Sequence, residues 1–285
     1  MDNREIATTW LAPAKINLFL HITAKREDGY HELQTVFQFI DLCDQLSFSL
    51  RKDRQIRRHT EVAGVPADND LTVRAAKILQ KAGNIDAGVD ISIDKIIPMG
   101  GGLGGGSSNA ATTLVALNQL WGLNLPQSRL ESLGLEIGAD VPVFIRGHSA
   151  WAEGVGEKLE SISLGQPWDN AWYVILSPNC HVSTAEIFSD RELTRDSHPI
   201  KIDAFRSGQT ENVCESVVRR RYPEVGMAID WLSAFAPTRM SGTGASVFAP
   251  FAEKHQADAV IEQLPPNWRG FVVKGLSESP LINHQ

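Results

Sequence analysis

The sequence predicts an α+β protein of two domains, on three observations. Strand-like and helix-like patterns interleave through all 285 residues, a length that can bury a sizeable core and divide in two. A polar tract at 161–170, carrying Gly165, Pro167 and Asp169, marks the candidate boundary, giving domains at 1–165 and 166–285. In the first half a glycine loop, PMGGGLGGGSS from Pro98 to Ser108, stands flush between a strand pattern and a helix pattern.

The elements follow in order. Residues 8–22 predict an early strand, with apolar side chains at 16, 18, 20 and 22 and Pro13 at an entry position. Lys15 and Asn17 fall on the opposite parity, where a lysine most often points to solvent. Asp28-Gly29 signals a turn, with Tyr30 and His31 at its exit. Residues 46–50 alternate as a strand, and Asp70 opens a helix that reaches about Ala82 and stops at Gly83-Asn84. Val89, Ile91 and Ile93 alternate with polar neighbours before the glycine loop. After it, Ala110, Leu114, Leu117 and Trp121 recur at helical spacing, so 107–120 predict an amphipathic helix. Ser128 and Glu131 have the spacing of a capping box, opening a helix that ends at Gly138. Val141, Val143 and Ile145 then alternate as a strand, with Asp140 at the junction, where an aspartate is most often a turn or capping residue. Residues 151–157 give another strand and a glycine-bearing turn. The second half predicts a strand at 172–176, a short helix at 183–188, polar loop to about Asn212, and helices at 213–220 and 224–235. A second glycine loop, from Met240 to Ser246, leads into a strand at 247–249, a helix near 252–263 and a strand at 271–274.

The first glycine loop carries the chemistry. Six of the seven positions 100–106 are glycine, and Ser107, Ser108 and Asn109 follow at once. A flexible linker shares that composition, but linkers rarely sit flush between a strand and a strongly patterned helix. Glycines let another group approach the main chain closely. The first amides of the following helix have no internal acceptor and lie at the positive end of its dipole. A polyphosphate fits such a site. A Walker loop is excluded, because no Gly-Lys-Ser/Thr closes the run. Gly100, Gly102 and Gly105 satisfy GxGxxG formally, yet no acidic residue stands about 20 positions on to hold a ribose.

Bulk properties narrow the classes. The net charge of −7 argues against a general nucleic-acid binder, and the short basic clusters at 51–58 and 219–221 read as solvated faces. Cys43, Cys180 and Cys214 lie far apart without CxxC spacing, which suggests neither a disulfide framework nor a zinc site and fits a reducing compartment. No stretch approaches the ~20 apolar residues of a membrane span. The N-terminal MDNREIATT lacks the apolar core of a signal peptide, and the pattern beginning by Trp10 leaves no room for a transit peptide. A cytoplasmic protein without membrane or nucleic-acid partners, monomeric or weakly dimeric, is expected.

Three segments carry a resemblance. PAKINLFLHI, with Lys15 and Asn17, resembles the first motif of the GHMP small-molecule kinases, a family that includes galactokinase, homoserine kinase and mevalonate kinase. PMGGGLGGGSS resembles the second, an ATP loop usually written PxxxGLGSSA, and MSGTGASVF resembles the third. Order and spacing agree over nearly the whole chain. The resemblance implies an N-terminal domain of the ribosomal protein S5 domain 2-like type with a left-handed βαβ unit at the glycine loop. It also implies a ferredoxin-like C-terminal domain, with substrates meeting in the cleft between. Left-handed crossovers are rare, and the residues alone would not predict one.

The tracts DGYHELQTVFQFIDL, GADVPVFIRG and AEGVGE resemble one branch of that family, which acts on a cytidine diphosphate conjugate of methylerythritol. This implies ATP-dependent phosphorylation of the conjugate's 2-hydroxyl, in the non-mevalonate route to isoprenoid precursors. The implied ATP loop is Pro98, Met99, Gly100, Gly101, Gly102, Leu103, Gly104, Gly105, Gly106, Ser107 and Ser108. Asp140 is implied as general base and Lys15 as its partner. A sugar-alcohol hydroxyl is a poor nucleophile, and a carboxylate kept ionised by an ammonium can take its proton. Tyr30 and Phe188 resemble an aromatic pair that sandwiches cytosine, His31 is implied to read the base edge, and Asn17 to face the methylerythritol hydroxyls. The loop at 241–245 is implied to shape the phosphate site.

Other members hold Mg²⁺ with a glutamate on the helix after the ATP loop. Here 109–120 contain no carboxylate, so Mg²⁺ is expected to arrive with ATP, and no protein ligand is assigned. Two alternatives stand beside this reading. A kinase for a simpler alcohol, such as mevalonate or homoserine, would not need the Tyr30-His31 and Phe188 constellation. A non-catalytic nucleotide-binding regulator on the same fold would not need both Lys15 and Asp140.

Overall fold

The computed structural model describes residues 9–62, 64–208 and 210–284; the predicted strand start at Thr8 and the N-terminal segment before it lie outside the described residues. The first-half strands are β1 (Thr9–Lys25), β2 (His31–Arg51), β3 (Ile56–Arg58), β4 (Gly88–Asp94), β5 (Ala150–Glu153) and β6 (Lys158–Ser161). The second half adds β7 (Trp172–Ser177), β8 (Arg239–Met240), β9 (Val247–Phe251) and β10 (Arg269–Leu276). The first-half helices are α1 (Leu71–Ala82), α2 (Gly105–Leu120), α3 (Gln127–Leu135) and α4 (Val141–Arg146). Those of the second half are α5 (Thr184–Ser189), α6 (Ile202–Arg206), α7 (Glu215–Arg221), α8 (Pro223–Ser233) and α9 (Lys254–Ile261).

β2 is the spine. One edge pairs antiparallel with β1 along most of its length. Its other edge takes β4 at 45–51, β10 at Phe39 and Ile40, and β5 at 35–37. β10 also pairs with β7, so a single sheet in the order β3-β4-β2-β10-β7-β9-β8 runs through both halves. β3 and β4 pair in parallel.

Three apolar clusters hold this arrangement. One packs α1, α2, α3 and α4 against β2 and β4, with Leu79, Ile91, Leu114, Val143 and Phe144 at its heart. Another packs α7, α8 and α9 against β7 and β9, and it borrows Leu20 and Ile22 from β1. The third lies between them, joining Ile16, Leu18 and Phe19 of β1 to Tyr173, Ile175 and Phe248 of the second half. β1 is therefore buried on both faces.

Several local expectations change. Residues 141–146 form helix α4 rather than a strand. All of Val141 to Ile145 are buried, so the alternation does not mark two faces, and Pro142 suits a first helical turn. The capping box at Ser128 does not form. α3 opens after Pro126 with no side-chain cap, and Glu131 instead pairs with Arg146 at 3.1 Å. Helix α2 is buried continuously from Ser108 to Leu117 rather than presenting one wet face. The strand expected at 46–50 extends back to His31, and the loop expected before Asn212 contains α6, whose five residues are too few for a periodic signal. Asp70 does open α1, accepting the Thr72 amide at 2.8 Å, and Arg58 backs it at 2.6 Å. The basic cluster at 219–221 is spent on carboxylates: Arg219 on Glu215 and Asp230, Arg220 and Arg221 on Asp190.

Candidate active site

The three motif segments meet at the glycine loop. Asp44, fully buried, accepts the amides of Ile96 (2.7 Å) and Ile97 (2.8 Å) and pairs with Lys95, which fixes the chain entering the loop. The loop's carbonyls then turn to protein partners. Gly100 accepts from the Ala245 amide (3.3 Å), Gly101 from the Ser246 amide (3.0 Å) and Leu103 from the Lys15 amide (3.0 Å). Gly102 accepts from the Ser241 hydroxyl (2.9 Å) and from Lys15 Nζ (3.1 Å). β1 and the second glycine loop thus hold the first one from both sides.

Gly102 and Gly104 show why the loop needs glycine. A Cβ at Gly102 would lie 2.1 Å from the Ser241 carbonyl oxygen. Gly104, at φ 70°, ends the loop, and a Cβ there would meet Phe144 at 2.8 Å and Lys15 Cε at 3.1 Å. Gly104 is also the N-cap of α2, which has no side-chain cap. The first amides of that helix have no intrahelical acceptor and lie at the positive end of its dipole, in residues that line a cavity.

Two cavities share this rim. One, of about 550 Å³, is lined by Pro98 to Ser107, Asn69, Lys95 and Asn109. The other, of about 470 Å³, is lined by Lys15, Asn17, Tyr30, His31, Asp140 and Phe188 among others. Gly102, Gly104, Ser107 and Thr184 border both. Ser108 lines neither: it is fully buried, its amide is bonded to Gly104 (2.8 Å), and its hydroxyl faces the interior.

Lys15 is the centre of the second cavity. Its side chain is only 4% exposed, and its ammonium donates to Asn17 Oδ1 (2.6 Å) and Gly102 O, lies 3.3 Å from Asp140 Oδ2 and sits over the Phe37 ring. The solvent-facing position expected from strand parity does not hold, because the glycine loop and helix α2 pack over β1 there. Asp140 occupies the N-cap position of α4 without capping it, so its carboxylate is free to face the cavity. Asn17 is held by its amide to Ser241 Oγ (3.1 Å) and by Nδ2 to Thr35 Oγ1 (2.9 Å).

Tyr30, His31 and Phe188 line the far end of the same cavity. Phe188 stacks on His31 with ring centroids 5.1 Å apart, while Tyr30 stands 63% exposed at the turn exit. Burial, then the charges of Arg195 and Lys25, lower the His31 pKa below its ordinary value, which favours the neutral ring. Sequence reasoning missed Thr35, Phe37, Thr184 and Arg195. Thr184 bridges to Thr243 at 2.9 Å, and nothing in its local pattern signals that contact. Among the described residues no group of three or more His, Cys, Asp or Glu could hold a metal ion, and no helix is long and apolar enough to cross a membrane.

The chain is similar to known proteins over nearly its whole length. The family description "GHMP kinases N terminal domain" matches residues 70–148, and "GHMP kinases C terminal" matches 192–269. The 4-diphosphocytidyl-2-C-methyl-D-erythritol kinase of Nitrosococcus oceani is 54% identical over 274 residues, covering 96% of both chains. That of Pseudomonas aeruginosa is 55% identical over 270 residues, covering 95% of this chain and 94% of its own. A crystal structure of 4-(cytidine 5'-diphospho)-2C-methyl-D-erythritol kinase superposes with a TM-score of 0.80 at 31% identity, over 94% of this chain and 99% of that one. The mevalonate kinase of Methanococcus jannaschii, at TM-score 0.68 and 16% identity over 96% and 99% of the two chains, shares the fold.

Proposed function

The chain belongs to the GHMP kinase family, and on that premise we infer that it is an ATP-dependent kinase of 4-diphosphocytidyl-2-C-methyl-D-erythritol. It transfers the γ-phosphoryl of ATP to the 2-hydroxyl of that conjugate, giving the 2-phosphate and ADP, a step of the non-mevalonate route to isoprenoid precursors. The observation that carries the reading is the meeting of Lys15 and Asp140, 3.3 Å apart, where a glycine-rimmed cavity joins one bearing Tyr30, His31 and Phe188.

In this reading the amides at the start of α2 cradle the phosphates of ATP. Asp140 accepts the proton of the attacking hydroxyl. Lys15, 3.3 Å from that carboxylate, holds it in place and can neutralise charge on the moving oxygens. Asn17, fixed by Ser241 and Thr35, orients the acceptor hydroxyls. Tyr30 and Phe188 stack on the cytosine and His31 bonds its edge. Mg²⁺ would arrive with ATP, and Ser107 at the cavity rim would be the protein hydroxyl to join phosphate oxygens and water in holding it, where the ion would offset phosphate charge. A coupled ADP-release assay across the cytidine conjugate, mevalonate, homoserine and galactose tests the assignment. Turnover confined to the conjugate is expected; equal or better turnover of a simpler alcohol would reject it.

A further inference from the structure

We propose that Arg195 is a positioning residue for base recognition, fixing the His31 imidazole with its proton on Nδ1 and so biasing the pocket toward cytosine over uracil. The ligand in this inference rests on the kinase reading above; the state of the ring does not.

Arg195 lies in a tract that reads as polar loop, yet four of its five guanidinium N–H groups are engaged. Nη2 donates to the carbonyls of Phe188 and Asp190, both at 2.7 Å, and Nη1 to that of Leu193 at 3.0 Å. Three carbonyls set the plane of the group, and Nε–H is then aimed at His31 Nε2, 3.2 Å away. An arginine can only donate, so the nitrogen it faces must present a lone pair. In a neutral imidazole the proton is then on Nδ1, the nitrogen left for a ligand in the cavity that His31 lines. The same guanidinium carries the carbonyl of Phe188, whose ring stacks on His31 at an interplanar angle of 25°. Asp190, its side chain 3% exposed and bonded by Arg220 and Arg221, anchors the segment. Arg195 therefore sets both the tautomer of one ring and the seat of the other.

That tautomer matters because cytosine and uracil differ at N3. Cytosine offers a lone pair there and uracil an N–H. A ring that presents Nδ1–H matches the first and opposes the second; the other tautomer reverses the preference. The proton on one nitrogen is thus a specificity element.

The test has two parts, both on the full chain. Two-bond ¹H–¹⁵N spectra of the ligand-free protein, with His31→Gln for assignment, are expected to report a proton on Nδ1 of His31. In Arg195→Gln the signals should move toward a mixture of tautomers. At saturating ATP, the ratio of kcat/KM for the cytidine conjugate to that for its uridine counterpart should fall about tenfold in Arg195→Gln, the scale of one hydrogen bond, with KM for ATP unchanged. Should that variant fail to fold, Arg195→Lys carries the kinetic test with the same direction of loss, since its single ammonium cannot span the carbonyls and the ring. A wild-type ring protonated on Nε2, or an unchanged ratio in a folded variant, would overturn the proposal. A wild type that turns over no cytidine conjugate while its spectrum reports Nδ1–H would refute the kinase reading and leave the tautomer standing.

Discussion

Replacing Asp140 by asparagine separates chemistry from stability in the cleft. Asparagine keeps the shape, and its amide oxygen can still accept from Lys15, whose other acceptors, Asn17 Oδ1 and Gly102 O, are untouched. The Asp140 side chain is 36% exposed and caps no helix, so the ion pair it loses belongs with screened pairs worth about 0–1 kcal/mol. For a chain of this size such a loss moves Tm by no more than about 4 °C. In the proposed mechanism, by contrast, the acceptor hydroxyl loses its proton acceptor. A positioned general base contributes roughly 10²- to 10⁴-fold, or about 3–5 kcal/mol of barrier at ~1.4 kcal/mol per decade. Asp140→Asn should therefore lower kcat by that factor, with KM for ATP and the melting curve nearly unchanged. Coupled ADP release and thermal melting on one preparation read both quantities. Near wild-type kcat would remove Asp140 from the mechanism, and a loss of activity matched by loss of folded protein would make it a structural residue.

Gly104→Ala forces a Cβ against Phe144 and Lys15 at a φ of 70°, so ATP affinity, turnover and Tm should all fall. Gly106→Ala is its control: the Cβ meets only Leu71 at 3.5 Å, so the variant should melt like wild type, and any rise in KM for ATP reports ligand approach rather than strain. Tyr30→Ala should weaken the cytidine substrate by about 1–3 kcal/mol, the value of one base–aromatic stack, without changing KM for ATP; an unchanged KM for the conjugate would move the cytosine elsewhere. Burial lowers the pKa of His21 and of His31, so the unfolded chain binds more protons than the folded one just below the ordinary value of 6.5. Stability should accordingly rise with pH through that window and fall on acidification from 6.5. Urea midpoints at pH 7.5 and 5.5 measure it, and equal midpoints would contradict the burial of both rings.

The glycine loop and its flanking strand and helix were legible because each carries its own local signal: alternation at 89, 91 and 93, helical spacing from Ala110, and glycines whose only common use there is close approach to the main chain. Lys15 and Asp140 were not legible as a pair. They are 125 residues apart in sequence, strand parity sends Lys15 to solvent, and only the packing of the glycine loop and α2 on β1, with α4 against α2, brings the two together. α4 was misread for a related reason, since an apolar run buried on every side carries no periodicity to tell helix from strand. Arg195 shows the limit most plainly. Its neighbours form no motif, and its importance lies in three carbonyls and a ring 164 positions away.

The identity of the phosphorylated product tests the central claim most directly. The enzyme, ATP and 4-diphosphocytidyl-2-C-methyl-D-erythritol are incubated to completion and followed by phosphorus and carbon NMR. One new phosphomonoester is expected, coupled to the carbon bearing the 2-hydroxyl, in amounts equal to the ADP formed. ADP without a new phosphomonoester, or a phosphate on any other hydroxyl, would contradict it.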